Sequence, residues 1–214
     1  MLCKASQRIL AYFCCIKEEL TYLWENPMEL WAALAAFLCV WLAVKNHILN
    51  WPISIISSLL YFFVFYEGKL YSDALLQVVF FIMQGYGWYS WYQKTGKNSD
   101  IRAVNATWFA APFLITFALW ALWYFFLIAW KPDASYPIWD AGTTVFSLLA
   151  IYMQAKRILE NWWLWIGVDL FYIPLYWQKG MFLTALLYTI YLGLALWGWW
   201  QWKKIMQRQA TPAT

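Results

Sequence analysis

The stretch that decides the fold is 50-NWPISIISSLLYFFVFYEGKLYSDALLQVVFFIMQGYGWYSW-91. It holds two long apolar runs separated by the polar turn EGK. Within or beside these runs lie Asn50, Asp73, Gln77 and Gln84, polar groups that cost free energy in hydrocarbon unless they are paired or have a function. The stretch therefore predicts two membrane helices that carry part of a functional site.

The composition of the whole chain is that of a membrane protein. Of 214 residues, 64% are hydrophobic and 12% are charged, whereas a soluble domain carries about 25% charged residues. Seven runs contain no Lys or Arg, and each approaches or exceeds the roughly 17–25 residues that a membrane helix needs: 29–44, 50–66, 70–93, 103–130, 140–155, 161–178 and 180–202. Strict two-residue alternation is absent, so we predict an all-α integral membrane protein with seven transmembrane helices.

An internal repeat organises these helices. A single offset of 111 residues, without a gap, places Asn50-Trp51 on Asn161-Trp162, Gly87-Trp88 on Gly198-Trp199 and Trp91 on Trp202. Two three-helix units in the same orientation require a helix between them that crosses the membrane once, as in SWEET-type carriers with parallel repeats. The predicted fold is thus 3+1+3.

The predicted organisation follows from this repeat. Residues 1–27 form an interfacial helix, because IKEELTYLWEN is too charged to span and no removable signal peptide precedes it. Residues 28–93 are the first repeat, 94–138 a linker that includes the fourth helix, 139–203 the second repeat and 204–214 a cytoplasmic tail.

The positive charges predict the orientation in the membrane. One side of the predicted topology holds nine Lys and Arg residues and the other holds six, or three without the N-terminal segment. Because Lys and Arg collect in cytoplasmic loops, the N-terminus is expected outside and the C-terminus in the cytoplasm.

Polar residues within the spans mark a candidate binding site. Asp73, Gln77 and Gln84 share one face of the third helix within roughly 40°, and Asp169 lies near the middle of the sixth, where it must face a partner, water or a ligand. Interhelical hydrogen bonds are the alternative explanation for these groups. Gly85 and Gly87 permit a close approach of another helix or of a ligand.

These groups suit a particular kind of ligand. Aromatic faces, amides and a carboxylate, without Lys or Arg in any span, accept a flat ring, hydroxyl groups and positive charge, whereas phosphate would find no cationic partner. With one His and no catalytic or metal-ligand motif, an enzyme, a metal ion, a cofactor and a nucleic-acid partner are not expected. A purely structural membrane protein is a further alternative.

Several motifs carry a family resemblance: Asn50-Trp51-Pro52, the spacing of Tyr71, Asp73 and Gln77, the segment 86-YGWYSW-91 and 161-NWW-163. Over about residues 25–205 the chain resembles the PnuC family of bacterial nicotinamide riboside transporters, whose relatives also include carriers of thiamine and riboflavin. The resemblance implies a SWEET-like fold, a bacterial inner-membrane location in the lipid bilayer, a homotrimer, and facilitated diffusion of unphosphorylated nicotinamide riboside, which a cytoplasmic kinase then phosphorylates and traps.

The residues expected to bind the substrate come from both repeats, and the second repeat departs from the first by having Thr184 and Tyr188 where the first has Asp73 and Gln77. Two alternatives remain beside nicotinamide riboside uniport, namely carriage of another vitamin such as thiamine and proton coupling through Asp169. The predicted substrate-binding residues are Asn50, Trp51, Asp73, Gln77, Gln84, Trp88, Asn161, Trp162, Asp169, Tyr172, Thr184 and Tyr188.

Overall fold

The computed structural model describes residues 21, 27–67, 71–93, 100–130, 137–178 and 182–210. The predicted all-α fold is confirmed, since these residues contain seven long helices: α1 Pro27–Val44, α2 Asn50–Glu67, α3 Tyr71–Gln93, α4 Ala106–Trp130, α5 Pro137–Ala155, α6 Asn161–Gln178 and α7 Phe182–Ala210. Helix α7 continues past Trp202, where the apolar run ends. The predicted N-terminal interfacial helix lies outside the described residues except for Thr21 and Pro27.

Averaged over 18 residues, no helix in the described ranges combines the length and the apolar character of a membrane-crossing segment.

The turns before α2 and α6 are built in the same way. Asn46 and Arg157, which differ by the repeat offset, both have a φ of 53°, in the left-handed region that few non-glycine residues adopt. The next helix then begins with an asparagine whose Nδ2 donates to the backbone carbonyl three residues earlier, at 2.7 Å for Asn50 and 2.6 Å for Asn161. This shared turn explains why both repeats begin with asparagine.

A tryptophan packed on a glycine holds each repeat together. A Cβ atom added to Gly87 would overlap the indole ring of Trp51, and one added to Gly198 would lie 2.6 Å from the ring of Trp162. A Cβ at Gly85, by contrast, would have no neighbour within 4 Å. The close approach of a neighbouring group therefore requires glycine at position 87 but not at position 85, although the sequence analysis considered both.

The helices form a closed ring. Within each half the middle helix packs against the two others, so that α2 contacts α1 and α3 while α6 contacts α5 and α7. The halves meet where α3 packs on α5 and α1 packs on α7, and α4 packs on the outside of α5. In the described residues α2 and α6 make no close backbone contact, so a space remains between them.

Two reciprocal hydrogen bonds join the halves. The fully buried Trp202 donates from Nε1 to the backbone carbonyl of Ala43 at 2.9 Å, and the fully buried Trp91 donates to the carbonyl of Gln154 at 3.2 Å. Ala43 and Gln154 also differ by the offset of 111 residues, so the same bond is made once in each direction. Trp51 and Trp162 pack edge-on against Trp91 and Trp202, each pair at 5.5 Å between centroids.

Substitution of Gly87 by Ala tests the contact between indole and glycine. We expect Gly87→Ala to destabilise the protein by about 1–3 kcal/mol, because the methyl group has no room beside Trp51. In Gly85→Ala the methyl group meets open space, and alanine favours the helix by up to about 1 kcal/mol. Thermal unfolding of both purified variants in detergent makes the comparison, and equal melting temperatures would contradict the expectation.

Substitution of Trp202 by Phe tests the bonds between the halves. Trp202→Phe keeps an aromatic ring but removes the indole N–H that donates to the Ala43 carbonyl, which keeps its bond from the Asn46 N–H, so the lost bond costs about 0.5–1.5 kcal/mol. Trp31→Phe is the matched control, since Trp31 is 62% exposed. We expect a lower melting temperature for Trp202→Phe only; the same melting temperature in both variants would mean that the bond contributes nothing.

Candidate functional site

A cavity of about 270 Å³ occupies the space between α2 and α6. Its lining comes from both halves of the ring, and the halves contribute different chemistry. The polar and aromatic lining residues are Asn50, Trp51, Ser54, Ser57, Ser58, Tyr61, Gln77, Phe80 and Gln84 from the first half and Ser147, Gln154, Trp162, Trp165, Asp169, Tyr172, Tyr188 and Tyr191 from the second.

The first half contributes neutral polar groups on α2 and α3. The Ser58 hydroxyl donates to Oε1 of Gln84 at 3.1 Å, which fixes the orientation of that amide and leaves its NH₂ group for another partner. Gln77 lines the cavity about two turns before Gln84 on α3 and has no hydrogen-bonding partner among the described residues. These amides can donate to, and accept from, hydroxyl groups of a ligand.

A chain of hydrogen bonds crosses between the halves through Gln154. This residue lies in the last turn of α5, where its Nε2 donates to Oδ1 of Asn50 at 3.3 Å. Its Oε1 accepts from Nε1 of Trp165 at 3.3 Å. Asn161 is the repeat equivalent of Asn50, but its buried Oδ1 has no partner, because Ala43 stands where Gln154 stands in the second half.

The second half contributes a cluster of tyrosines. The rings of Tyr176 and Tyr188 are nearly parallel, with an angle of 12° and centroids 5.3 Å apart, and Tyr172 lies 4.6 Å from Tyr188. Tyr191 closes the cluster edge-on at 5.8 Å from Tyr188. Such a cluster offers ring faces and hydroxyl groups to a flat ligand, and aromatic faces attract cations.

Among the described residues that line the cavity, Asp169 is the one with an acidic or basic side chain. It is only 5% exposed, and none of the described residues forms a hydrogen bond or an ion pair with it. It lies close enough to Tyr188 and Tyr191 to interact electrostatically with both. A buried carboxylate without a partner costs free energy, so its position at a cavity points to a ligand that supplies the partner.

Positive charges lie at one end of the ring, near the turns that precede α2 and α6. Lys45 lies over Trp197 at 5.6 Å and Lys156 over Tyr86 at 5.2 Å, again a pair related by the repeat offset. The guanidinium of Arg157 lies 4.2 Å from the ring of Trp91. Burial lowers the pKa of Arg157, and the charge of Asp100 partly offsets this effect. None of these cations lines the cavity.

The cavity brings together eight of the twelve predicted binding residues: Asn50, Trp51, Gln77, Gln84, Trp162, Asp169, Tyr172 and Tyr188. Trp88 is 44% exposed on the outer face of α3, and Asn161 is fully buried in the turn before α6. Thr184 is half-buried on α7 and does not line the cavity. The side chain of Asp73 lies outside the described residues.

Sequence reasoning missed Gln154, Trp165, Tyr191 and the serines of α2 and α5. A signal was present for Gln154, because a glutamine in the apolar run 140–155 is as costly as Gln77 in its own run. The serines gave no such signal, since a hydroxyl in a membrane helix is often satisfied by the preceding turn, as Ser54 is by the Trp51 carbonyl at 2.8 Å.

The lining suits binding rather than covalent chemistry. The described residues contain no group of three or more His, Cys, Asp or Glu side chains that could hold a metal ion. What the cavity presents is a flat aromatic surface, several amides and hydroxyls, and one carboxylate. This arrangement can hold a small, ring-containing solute between two halves of a helical ring.

Curated proteins with similar sequences are vitamin transporters. The chain is 32% identical to the riboflavin/roseoflavin transporter RibM of Streptomyces davaonensis, over 80% of this chain and 82% of that protein. It is 26% identical to the nicotinamide riboside transporter PnuC of Escherichia coli, over 82% of this chain and 84% of that protein.

A solved structure shows the same fold. The crystal structure of the vitamin B3 transporter PnuC superposes with a TM-score of 0.67 at 24% identity, covering 94% of this chain and 92% of that chain. The sequence profile described as nicotinamide mononucleotide transporter matches residues 26–204, which is most of the sequence. The chain therefore belongs to this family of membrane transporters, which is the PnuC family that its motifs resemble.

Proposed function

We propose that the protein is a uniporter that takes up unphosphorylated nicotinamide riboside across the bacterial inner membrane. The observation that carries this proposal is the cavity itself, where a tyrosine cluster and the unpartnered Asp169 face neutral amides across the space between the repeats. Nicotinamide riboside combines a flat, positively charged ring, a carboxamide and ribose hydroxyls. Each part has a chemical counterpart in the lining.

The described residues that line the cavity include no Lys or Arg, which supports an unphosphorylated substrate. Phosphate groups are bound by Arg, Lys or helix N-termini, and the basic residues near the turns all lie over aromatic rings outside the cavity. A riboside that enters as a cation and is then phosphorylated by a cytoplasmic kinase would not return through such a site. Trapping by that kinase is therefore part of the proposal.

Riboflavin is the second candidate, because RibM is more similar in sequence than the Escherichia coli PnuC. The cavity volume of about 270 Å³ lies near the lower end of ligand pockets, roughly 300–1,000 Å³. A single-ring nucleoside fits this volume better than the three fused rings and ribityl chain of a flavin. The neutral flavin would also leave Asp169 without a partner.

Uniport is preferred to proton coupling on the basis of the lining. Proton-coupled carriers use chains of ionisable groups across the membrane, whereas the described residues that line this cavity include one acid, Asp169, and no histidine. We also propose the 3+1+3 domain boundaries, an external N-terminus with a cytoplasmic C-terminus, and a homotrimer. The homotrimer would appear as a mass of three chains in light scattering of the detergent-solubilised protein.

Binding titrations test the choice of vitamin. We expect the purified protein to bind nicotinamide riboside more tightly than thiamine, and thiamine more tightly than riboflavin, because the first two are flat cations and the third is neutral. Fluorescence of the lining tryptophans or calorimetry measures the three affinities. Tighter binding of riboflavin would assign the chain to the function of RibM instead.

The same titration uses a matched pair of variants. Gln77→Leu removes a lining amide and should weaken binding of nicotinamide riboside about 5- to 30-fold, as expected for a lost polar contact in a buried site. Gln93→Leu makes the same change at an exposed position outside the cavity and should leave the affinity unchanged. Equal affinities in the two variants would place the binding site elsewhere.

Uptake into vesicles tests uniport. Vesicles that contain the purified protein should take up labelled nicotinamide riboside until the inner and outer concentrations are equal, with or without a proton gradient. If accumulation exceeds the outer concentration and collapses when a protonophore is added, Asp169 would be part of a proton-coupled mechanism.

A further inference from the structure

The two halves of the cavity differ at positions that the repeat makes equivalent. Ser58 and Gln77 in the first half correspond to Asp169 and Tyr188 in the second, at the offset of 111 residues. Gln84, whose amide is held by Ser58, corresponds to Ala195. The backbone symmetry is therefore kept while the side chains at these three positions differ, with a hydroxyl and two amides in the first half and a carboxylate, a tyrosine and an alanine in the second.

The second half is suited to a positively charged ring. Tyr172 and Tyr188 line the cavity and pack with Tyr176 in a cluster whose ring centroids are 4.6–5.5 Å apart. Aromatic rings attract cations. Asp169 adds a negative charge that is 5% exposed and has no described partner. In a space of low dielectric constant, a cationic ligand is the group that would offset this charge most effectively.

The first half is suited to hydroxyl groups. Gln77 has both ends of its amide available, and Gln84 keeps its NH₂ group after accepting from Ser58. Neither group carries charge, and among the described lining residues of the first half none is charged. The two sides of the cavity therefore suit different parts of a ligand, hydroxyl groups on the first side and a positively charged ring on the second.

We propose that the ligand lies across the cavity with its charged ring against the second half and its sugar hydroxyls against the first, and that Asp169 selects cationic over neutral ligands. This proposal rests on nicotinamide riboside being the substrate. It assigns charge recognition to one residue, Asp169, and hydroxyl recognition to Gln77 and Gln84.

The test compares nicotinamide riboside with its dihydro form, which has nearly the same shape but a neutral ring. The wild-type protein should prefer the cationic form. Asp169→Asn keeps the side-chain shape and removes the charge, so the affinity for nicotinamide riboside should fall about 30-fold while that for the dihydro form changes little. Asp169→Glu keeps the charge and should retain part of the preference.

Gln84→Leu is the matched control in the first half. It should weaken the binding of both forms by the same factor, because it removes a contact to the sugar and leaves the charge in place. Binding of the dihydro form by Asp169→Asn also shows that this variant is folded.

One result would contradict charge selection by Asp169, and another would contradict the proposed function itself. If the wild-type protein binds nicotinamide riboside and Asp169→Asn still prefers the cationic form to the same degree, Asp169 does not select charge. If the wild-type protein binds neither form, the proposed function fails and this assignment fails with it.

Discussion

The structure depends on an indole ring lying directly on the bare backbone of a neighbouring helix, a contact made once by Trp51 on Gly87 and once by Trp162 on Gly198. Each contact brings the third helix of a repeat against its middle helix. The same two indoles then pack edge-on against Trp91 and Trp202, which donate hydrogen bonds to the opposite half. Because this cluster lies at one end of the ring, α2 and α6 are held together there through side chains alone, and the cavity forms beside them.

A binding site arises where the repeat is broken. The turns, the asparagines that begin α2 and α6, and the lysines over aromatic rings are all duplicated at the same offset. The cavity lining is not duplicated, since the second half has Gln154 and Asp169 where the first half has Ala43 and Ser58. Gln154 satisfies Asn50, whereas Asn161 keeps an unpaired Oδ1. Symmetry thus provides the scaffold, and chemical specificity requires departures from it.

Most of the fold could be predicted from the sequence because hydrocarbon enforces long apolar helices and because Asn-Trp and Gly-Trp recur without a gap. Gln77, Gln84 and Asp169 could be found since buried polar groups are conspicuous in such helices.

Trp88 could not be placed, because spacing alone does not say which face of α3 points inward. Once Gly87 faces Trp51, its neighbour, rotated by about 100°, points outward. The bond from Asn161 to the turn before α6 could not be inferred either, because the residue type alone does not show what the side chain contacts. Gln154 lies near the end of α5, and its repeat equivalent on α1 is Ala43. Comparison of the two repeats therefore did not single it out.

The bonds that cross between the halves set the scale of the free energy needed to change their arrangement. Near the tryptophan cluster these are the donations from Trp91 and Trp202, the Asn50–Gln154 bond at 3.3 Å and the Ser90 hydroxyl to the Ala155 carbonyl at 3.3 Å. Hydrogen bonds of this kind contribute about 0.5–1.5 kcal/mol each. A ligand shifts such an equilibrium only by its difference in affinity for the two arrangements. Because the cavity takes its polar groups from both halves, a movement of one half against the other would change every contact that a ligand makes across it. A small solute can therefore supply a difference comparable to the few bonds that it must overcome.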